Sequence, residues 1–283
     1  MEKLLLKNGN YIPKLGQGTW RLGENSKQRK SEVEALQFGI EKGLNLIDTA
    51  EMYGEGGAEL IVKEAIKDFN RRDLFIVSKV YPHNASRKKI FSAVENTLKR
   101  LGSDYLDLYL LHWRGTVPLK ETIDCFEEMV KQGIIKQWGV SNFDTDDMKE
   151  LFSIRNGSNC VINQVLYHLG SRGTEYDLQN WLIENNTVMM AYCPLAQGGY
   201  LREELIKNKS IIEIAKNRNI TVYQLLLGFV LNRKNTIAIP KATKKEHIED
   251  NINSLEIVLN EDELKILNRE FPAPNFKTWL DIV

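Results

Sequence analysis

Several features are scarce in this chain, and each scarcity narrows the function classes open to it. There are only three cysteines, Cys125, Cys160 and Cys193, widely spaced and odd in number. That pattern suits neither a disulfide framework nor a thiolate metal cluster, and it points to a reducing, cytoplasmic setting. The four histidines, His83, His112, His168 and His247, form no HExxH motif and no pairing with carboxylates at ligand spacing, so no metal is expected. The opening residues carry just three consecutive leucines, Leu4 to Leu6, too few for a signal peptide or a membrane span. Net charge is absent: Lys+Arg and Asp+Glu are both 38. Nucleic acid and anionic membranes are therefore not expected as partners. No Pro/Ser-rich linker, low-complexity run or charge block divides the 283 residues, and residues 1–283 read as a single domain. There is no Walker A sequence. The nearest approach to a dinucleotide fingerprint, Gly16-Gln17-Gly18-Thr19-Trp20, lacks the third glycine and opens no helix.

What the chain does have is rhythm. Apolar, strand-like runs end on polar or Gly-rich positions at Gly18, Asp48, Lys79, His112, Ser141, Gln164, Tyr192 and Ile239, most of them roughly thirty residues apart. Helical periodicity fills many of the intervals, at residues 29–42, 58–69 and 90–101 and after Pro118. Two helical patterns, near 208–217 and 221–231, separate the last two strands, and two more, around 244–254 and 261–269, follow them. An Asn8-Gly9 step between short apolar runs predicts an N-terminal hairpin. Alternating strand and helix implies parallel strands with right-handed crossovers. Eight such units predict an α/β fold, a closed (β/α)8 TIM barrel capped by an N-terminal β-hairpin and carrying two extra helices. In that fold the strand ends converge on one mouth.

Four of the converging residues form a chemical set. Tyr53 is a proton donor, and an ammonium at Lys79 is expected to lower its pKa. Asp48 would hold Lys79 in place, and His112 would orient a carbonyl oxygen. Such a set protonates a carbonyl as it is reduced, but none of its members is an electron source, so a cofactor must supply the reducing equivalent. After the eighth strand, Ile239-Pro240-Lys241-Ala242-Thr243-Lys244-Lys245 leads into a helix, where amides and lysines favour phosphate. Taken singly, each of the four has a plainer reading: Asp48 as a helix cap, Tyr53 and His112 as packing residues, Lys79 as a surface cation.

Eight motifs in order resemble the aldo-keto reductase family along essentially the whole chain: GQGTW (16–20), LIDTAEMYGEGGAE (46–59), VSKV (77–80), LDLYLLHW (106–113), GVSNF (139–143), NQVLYH (163–168), AYCPLAQGG (191–199) and IPKATKKEHIEDN (239–251). The resemblance implies extended NADPH across the barrel mouth and a catalytic tetrad of Asp48, Tyr53, Lys79 and His112. It places Ser141, Asn142 and Gln164 on the nicotinamide carboxamide and Tyr192 against the ring. Cys193, Leu195 and Gln197 would line the pyrophosphate. Lys241 and Thr243 would meet the 2′-phosphate, with His247 beside it, and Asp250 and Asn251 would reach the adenine. Gly18, Thr19 and Ile239 complete the cofactor set. Trp20, Tyr81 and Trp113 would wall the substrate beside Tyr53 and His112.

Two departures qualify this picture. His247 stands where many members have arginine, a permanently charged, bidentate phosphate binder. NADPH preference is therefore expected to weaken as pH rises through the ordinary histidine range, with NADH as a weaker alternative. NQVLYHLGSRG replaces the commoner NQVEYHP-type motif. With the GTWRLGE and IDTAEMYGEGGAE segments, it resembles a bacterial subgroup that reduces methylglyoxal and similar small carbonyls. The short tail predicts a small, open pocket. The expectation is thus a monomeric NADPH-dependent oxidoreductase. Two readings compete with it: a non-enzymatic cofactor-binding redox reader of the same fold, which the lack of an N-terminal extension disfavours, and a phosphate-handling barrel hydrolase or isomerase, which lacks metal ligands and paired carboxylates.

Overall fold

The structure, a computed structural model, describes residues 2–282. Strands β1 (Lys3–Leu5) and β2 (Tyr11–Pro13) pair antiparallel, Lys3 opposite Pro13 and Leu5 opposite Tyr11, with Asn8-Gly9 in the loop between them. Eight further strands follow: β3 (Gly16–Gly18), β4 (Leu46–Asp48), β5 (Phe75–Val80), β6 (Leu108–Leu111), β7 (Trp138–Ser141), β8 (Ile162–Leu166), β9 (Val188–Tyr192) and β10 (Thr236–Ala238). Each pairs in parallel with its sequence neighbour. A parallel bridge from Leu15 to Ala238 and a bond from the Gly18 amide to the Pro240 carbonyl (3.1 Å) close the barrel. The seam needs a glycine: a Cβ on Gly18 would stand 2.7 Å from the Ile239 carbonyl oxygen.

Side chains alternate across each strand, and the alternation decides which residues reach the site. The barrel interior is filled by Leu46, Val77, Leu108, Leu110, Ile162, Met190 and Ile237, and the hairpin's Leu6 and Ile12 join the same cluster. Two residues beyond Leu46 on the same face comes Asp48; beyond Val77, Lys79; beyond Leu110, His112; beyond Ile162, Gln164; beyond Met190, Tyr192. The opposite parity, Ile47, Ile76, Val80, Tyr109, Val140 and Met189, packs outward into the larger core under the helices.

The helices are α1 (Arg29–Glu41), α2 (Gly57–Ile66), α3 (Ile90–Leu101), α4 (Leu119–Gln132), α5 (Thr145–Ser153), α6 (Leu178–Glu184), α7 (Gly199–Lys207), α8 (Lys209–Asn217), α9 (Val222–Leu231), α10 (Lys245–Asn253) and α11 (Glu261–Glu270). Helix α2 stops at Ile66, three residues short of the expected end, and Arg71–Asp73 forms a 3₁₀ turn rather than the start of β5. On α4, Phe126 and Met129 are buried but Val130 is exposed. Helix α7 is not announced by apolar periodicity, since it follows Gly198 and buries only Leu205. Residues after Glu270 form no helix or strand as far as residue 282. Among the described residues no helix is long and apolar enough to cross a membrane.

Candidate active site

Asp48, Lys79, Tyr53 and His112 meet at the mouth of the barrel. Lys79, fully buried on β5, donates from Nζ to Asp48 Oδ2 (2.7 Å), the Thr49 carbonyl (2.9 Å) and the Tyr53 hydroxyl (3.0 Å). Asp48 is fixed from a second side, because its Oδ1 accepts from Gln164 Nε2 at 2.8 Å. Both charges of the pair are almost wholly out of water, where an ion pair persists only if its remaining valences are satisfied, as they are here. His112 stands edge-on to Tyr53, the ring centroids 5.8 Å apart and the planes at 74°.

The electrostatics correct one expectation. Burial first, and then the Asp48 charge, push the Tyr53 hydroxyl well above the ordinary tyrosine range. The pull of the Lys79 ammonium, 3.0 Å away, is outweighed, so the resting hydroxyl lies above rather than below the ordinary range. The Lys79 bond to the hydroxyl stabilises the oxygen once the proton has left, and the resting phenol stays protonated, as a proton donor must. Burial also lowers the Lys79 pKa, opposed by Asp48 at contact distance. Burial, with Lys79 nearby, drives His112 down to about 2, so its imidazole is neutral. His112 Nδ1 is buried without a hydrogen-bond partner. A lone pair left unmatched there costs less than an unmatched N–H, which favours the tautomer with Nε2–H as the ring's donor.

A cavity of about 600 Å³ opens over these groups. Fifteen of the residues expected at the site line it: Gly18, Thr19, Trp20, Asp48, Tyr53, His112, Ser141, Asn142, Gln164, Tyr192, Cys193, Leu195, Gln197, Ile239 and Lys241. Lys79 lies beneath, reaching the cavity through Tyr53 and Asp48. The polar wall is interlocked: Ser141 Oγ donates to the Gln164 carbonyl (2.9 Å), Asn142 Nδ2 to the His112 carbonyl (3.2 Å) and Tyr192 hydroxyl to Asn142 Oδ1 (2.9 Å). Asn142, Cys193 and Ala196 all hold a left-handed backbone (φ 57°, 49° and 57°), a concentration of strain at the mouth.

Other expected residues stand apart from this cavity. Tyr81 and Trp113 pack edge to face at 5.7 Å, and Trp113 lies 4.9 Å from the His112 ring, beside the site rather than lining the cavity. Thr243 and His247 are exposed on the segment that opens α10, while Asn251 is buried and Asp250 half-buried one turn on. The cavity also has lining that the sequence did not single out: Arg21, Met52 and Arg202. Arg21 stacks on Trp20 at 4.6 Å, and its neighbour in the GTW motif was the available signal. Arg202 arrives on α7, a helix with no periodic signal of its own, so the sequence alone does not place it. Among the described residues no group of three or more His, Cys, Asp or Glu could hold a metal ion.

Comparisons with known proteins agree with this geometry. The model of the "Aldo/keto reductase family" matches residues 14–269. Methylglyoxal reductase YeaE of Escherichia coli (strain K12) is 50% identical over 283 residues, covering 100% of this chain and 99% of that protein. Glyoxal reductase of Bacillus subtilis (strain 168) is 32% identical over 269 residues, 94% of this chain and 92% of its own. An aldo/keto reductase from Klebsiella pneumoniae, crystallised in complex with NADP and acetate, superposes with a TM-score of 0.96 at 49% identity and 99% coverage of both chains. With the tetrad, the barrel and these matches in hand, the chain belongs to the aldo/keto reductase family.

Proposed function

We propose that this protein is an NADPH-dependent oxidoreductase that reduces aldehydes and small ketones or dicarbonyls, such as methylglyoxal, to alcohols, with Tyr53 as the proton donor. The observation that carries the reading is the buried Asp48–Lys79–Tyr53 chain opening onto a cavity shared with a neutral His112. The relatives named as methylglyoxal and glyoxal reductases support the substrate class, and the Klebsiella structures with NADP or NADPH support the cofactor. None of these names favours a cofactor reader without chemistry.

The residues present suit a nicotinamide. Gln164 spends Nε2 on Asp48 and Met190 Sδ, which leaves Oε1 to accept from a carboxamide. Ser141 and Asn142 offer polar groups beside it, and the half-buried Tyr192 offers a ring face. When bound, NADPH supplies a hydride to the carbonyl carbon. His112, held neutral by burial, donates a hydrogen bond to the carbonyl oxygen and orients it. Tyr53 delivers its proton to that oxygen as negative charge develops there, and Lys79 stabilises the phenolate left behind. Asp48 keeps Lys79 charged and aimed. Lys241, exposed at the cavity edge, supplies positive charge for a phosphate, and His247 is proposed to lie near the adenosine 2′-phosphate.

The test is a comparison of NADPH and NADH oxidation with methylglyoxal and glyoxal as acceptors. Faster turnover with NADPH supports the reading. Tight NADPH binding without turnover of either dicarbonyl or of simple aromatic aldehydes would hand the site to the cofactor-reader alternative.

A further inference from the structure

Glu59 is a fully buried carboxylate on the first turn of α2, behind the barrel wall and outside the cavity. Its Oε1 accepts from Ser78 Oγ at 2.7 Å and its Oε2 from Arg100 Nε at 2.5 Å. Ser78 precedes Lys79 on β5 and points outward, while Lys79 points into the barrel. Glu59 thus grips the outer face of the same strand that delivers the catalytic ammonium inside.

The other half of the grip lies on the segment carrying Tyr53. Between Tyr53 and α2, Gly54, Glu55 and Gly56 all have positive φ (56°, 52° and 89°). Short turn hydrogen bonds run through this link, among them Glu55 N–H to the Met52 carbonyl at 3.1 Å, yet Glu55 adopts a conformation that L residues disfavour. Arg100 fills the space beside this link: a Cβ on Gly56 would sit 2.6 Å from Arg100 Cδ. A side chain at Gly56 would press on the guanidinium stem, and its φ of 89° separately favours glycine. Arg100 is tied in turn to Thr97 Oγ1 at 3.3 Å on α3.

We propose that Glu59 and Arg100 are positioning residues for proton transfer, their partly buried ion pair clamping the left-handed link after Tyr53 against the strand that carries Lys79. The clamp holds the 3.0 Å contact between Lys79 Nζ and the Tyr53 hydroxyl from outside the barrel. The charged and titratable groups around Lys79 are Asp48 from β4, Tyr53 from the link, His112 after β6 and Glu59 from α2. Glu59 adds a second negative charge that favours the ammonium. This inference rests on Tyr53 being the proton donor.

The experiment measures kcat, KM, NADPH affinity and the pH profile of kcat for Glu59→Gln, Arg100→Gln and Arg100→Lys, with Tyr53→Phe in parallel. A displaced Tyr53–Lys79 contact costs roughly tenfold to a hundredfold in kcat. The NADPH dissociation constant should stay within about twofold, since neither residue lines the cavity. In Glu59→Gln the alkaline limb of kcat should move to lower pH, because Lys79 has lost one of its two carboxylates. Arg100→Lys should recover part of the loss seen in Arg100→Gln. A folded Glu59→Gln protein with kcat within about twofold of the parent and an unmoved pH profile overturns the proposal. If that variant does not fold, the more peripheral Arg100→Gln decides the matter by the same criteria. An active Tyr53→Phe enzyme would instead overturn the assignment of the proton donor, so the two failures are distinguishable.

Discussion

Gln164 Nε2 donates to Asp48 Oδ1 across the barrel at 2.8 Å, joining a residue expected to face the cofactor to the carboxylate that holds the buried Lys79 ammonium. The proposed cofactor contact and the proposed proton donor therefore share one hydrogen-bonded chain, Gln164–Asp48–Lys79–Tyr53. Disturbing its far end should be felt at the proton donor.

Gln164→Glu is the direct probe of that chain. It sets two carboxylates at hydrogen-bond distance, and one of them takes up a proton. That proton is shared across the pair, so the negative charge facing Lys79 is no longer fixed on Asp48. The expected result is a fall in kcat of about tenfold or more together with weaker NADPH binding, measured by steady-state kinetics and a fluorescence titration. A kcat within about twofold of the parent would show that the chain is not coupled.

Asp48→Asn keeps the shape of the side chain and removes its charge. Lys79 is fully buried, so its ammonium would lose the charge that compensates it. Removing one partner of a buried pair costs about 3–5 kcal/mol. Urea unfolding should register a loss of that order at pH 7, alongside a collapse in kcat. A variant of unchanged stability would contradict the assignment of Lys79 as charged.

Acid sensitivity follows from two buried histidines. His112 and His168 are pushed down to about 2 and about 4, in both cases chiefly by burial. Unfolded imidazoles take up protons near about 6.5. Below that pH the unfolded state binds more protons than the folded one, so stability falls as pH drops. The slope is at most about 1.4 kcal/mol per pH unit for each group, over the window from 6.5 towards 4 for His168 and further down for His112. Unfolding free energies at pH 7 and pH 5 should differ less in His112→Gln than in the parent. Equal differences would mean that the ring is already charged in the fold.

His247→Arg tests how the cofactor's adenosine end is read. His247 lies exposed on the first turn of α10, where a guanidinium could take a 2′-phosphate bidentately. The expected outcome is a KM for NADPH lowered several-fold with that for NADH unchanged. Equal effects on both cofactors would place the 2′-phosphate elsewhere.

The sequence made much of the barrel legible because the strand ends recur and alternate. Asp48, Lys79, His112, Gln164 and Tyr192 all sit two residues beyond an interior apolar position, so period-two patterning already aims them inward. What it could not carry was contact between distant segments. The bond from Gln164 to Asp48 spans 116 positions and exists only once the barrel closes. Arg202 depends on α7, whose single buried residue, Leu205, leaves no periodic trace. The raised pKa of Tyr53 escapes the sequence for a related reason: the motif reveals the neighbouring cation, whereas burial, the larger influence, is a property of the fold.

The central claim, that Tyr53 protonates a carbonyl reduced by NADPH, is tested most directly by following NADPH oxidation with methylglyoxal in the parent and in Tyr53→Phe. Steady turnover is expected in the parent and a loss of at least about 10²-fold in the variant, with NADPH affinity within about twofold. Turnover by Tyr53→Phe close to that of the parent would contradict it, as the proton would then come from another group.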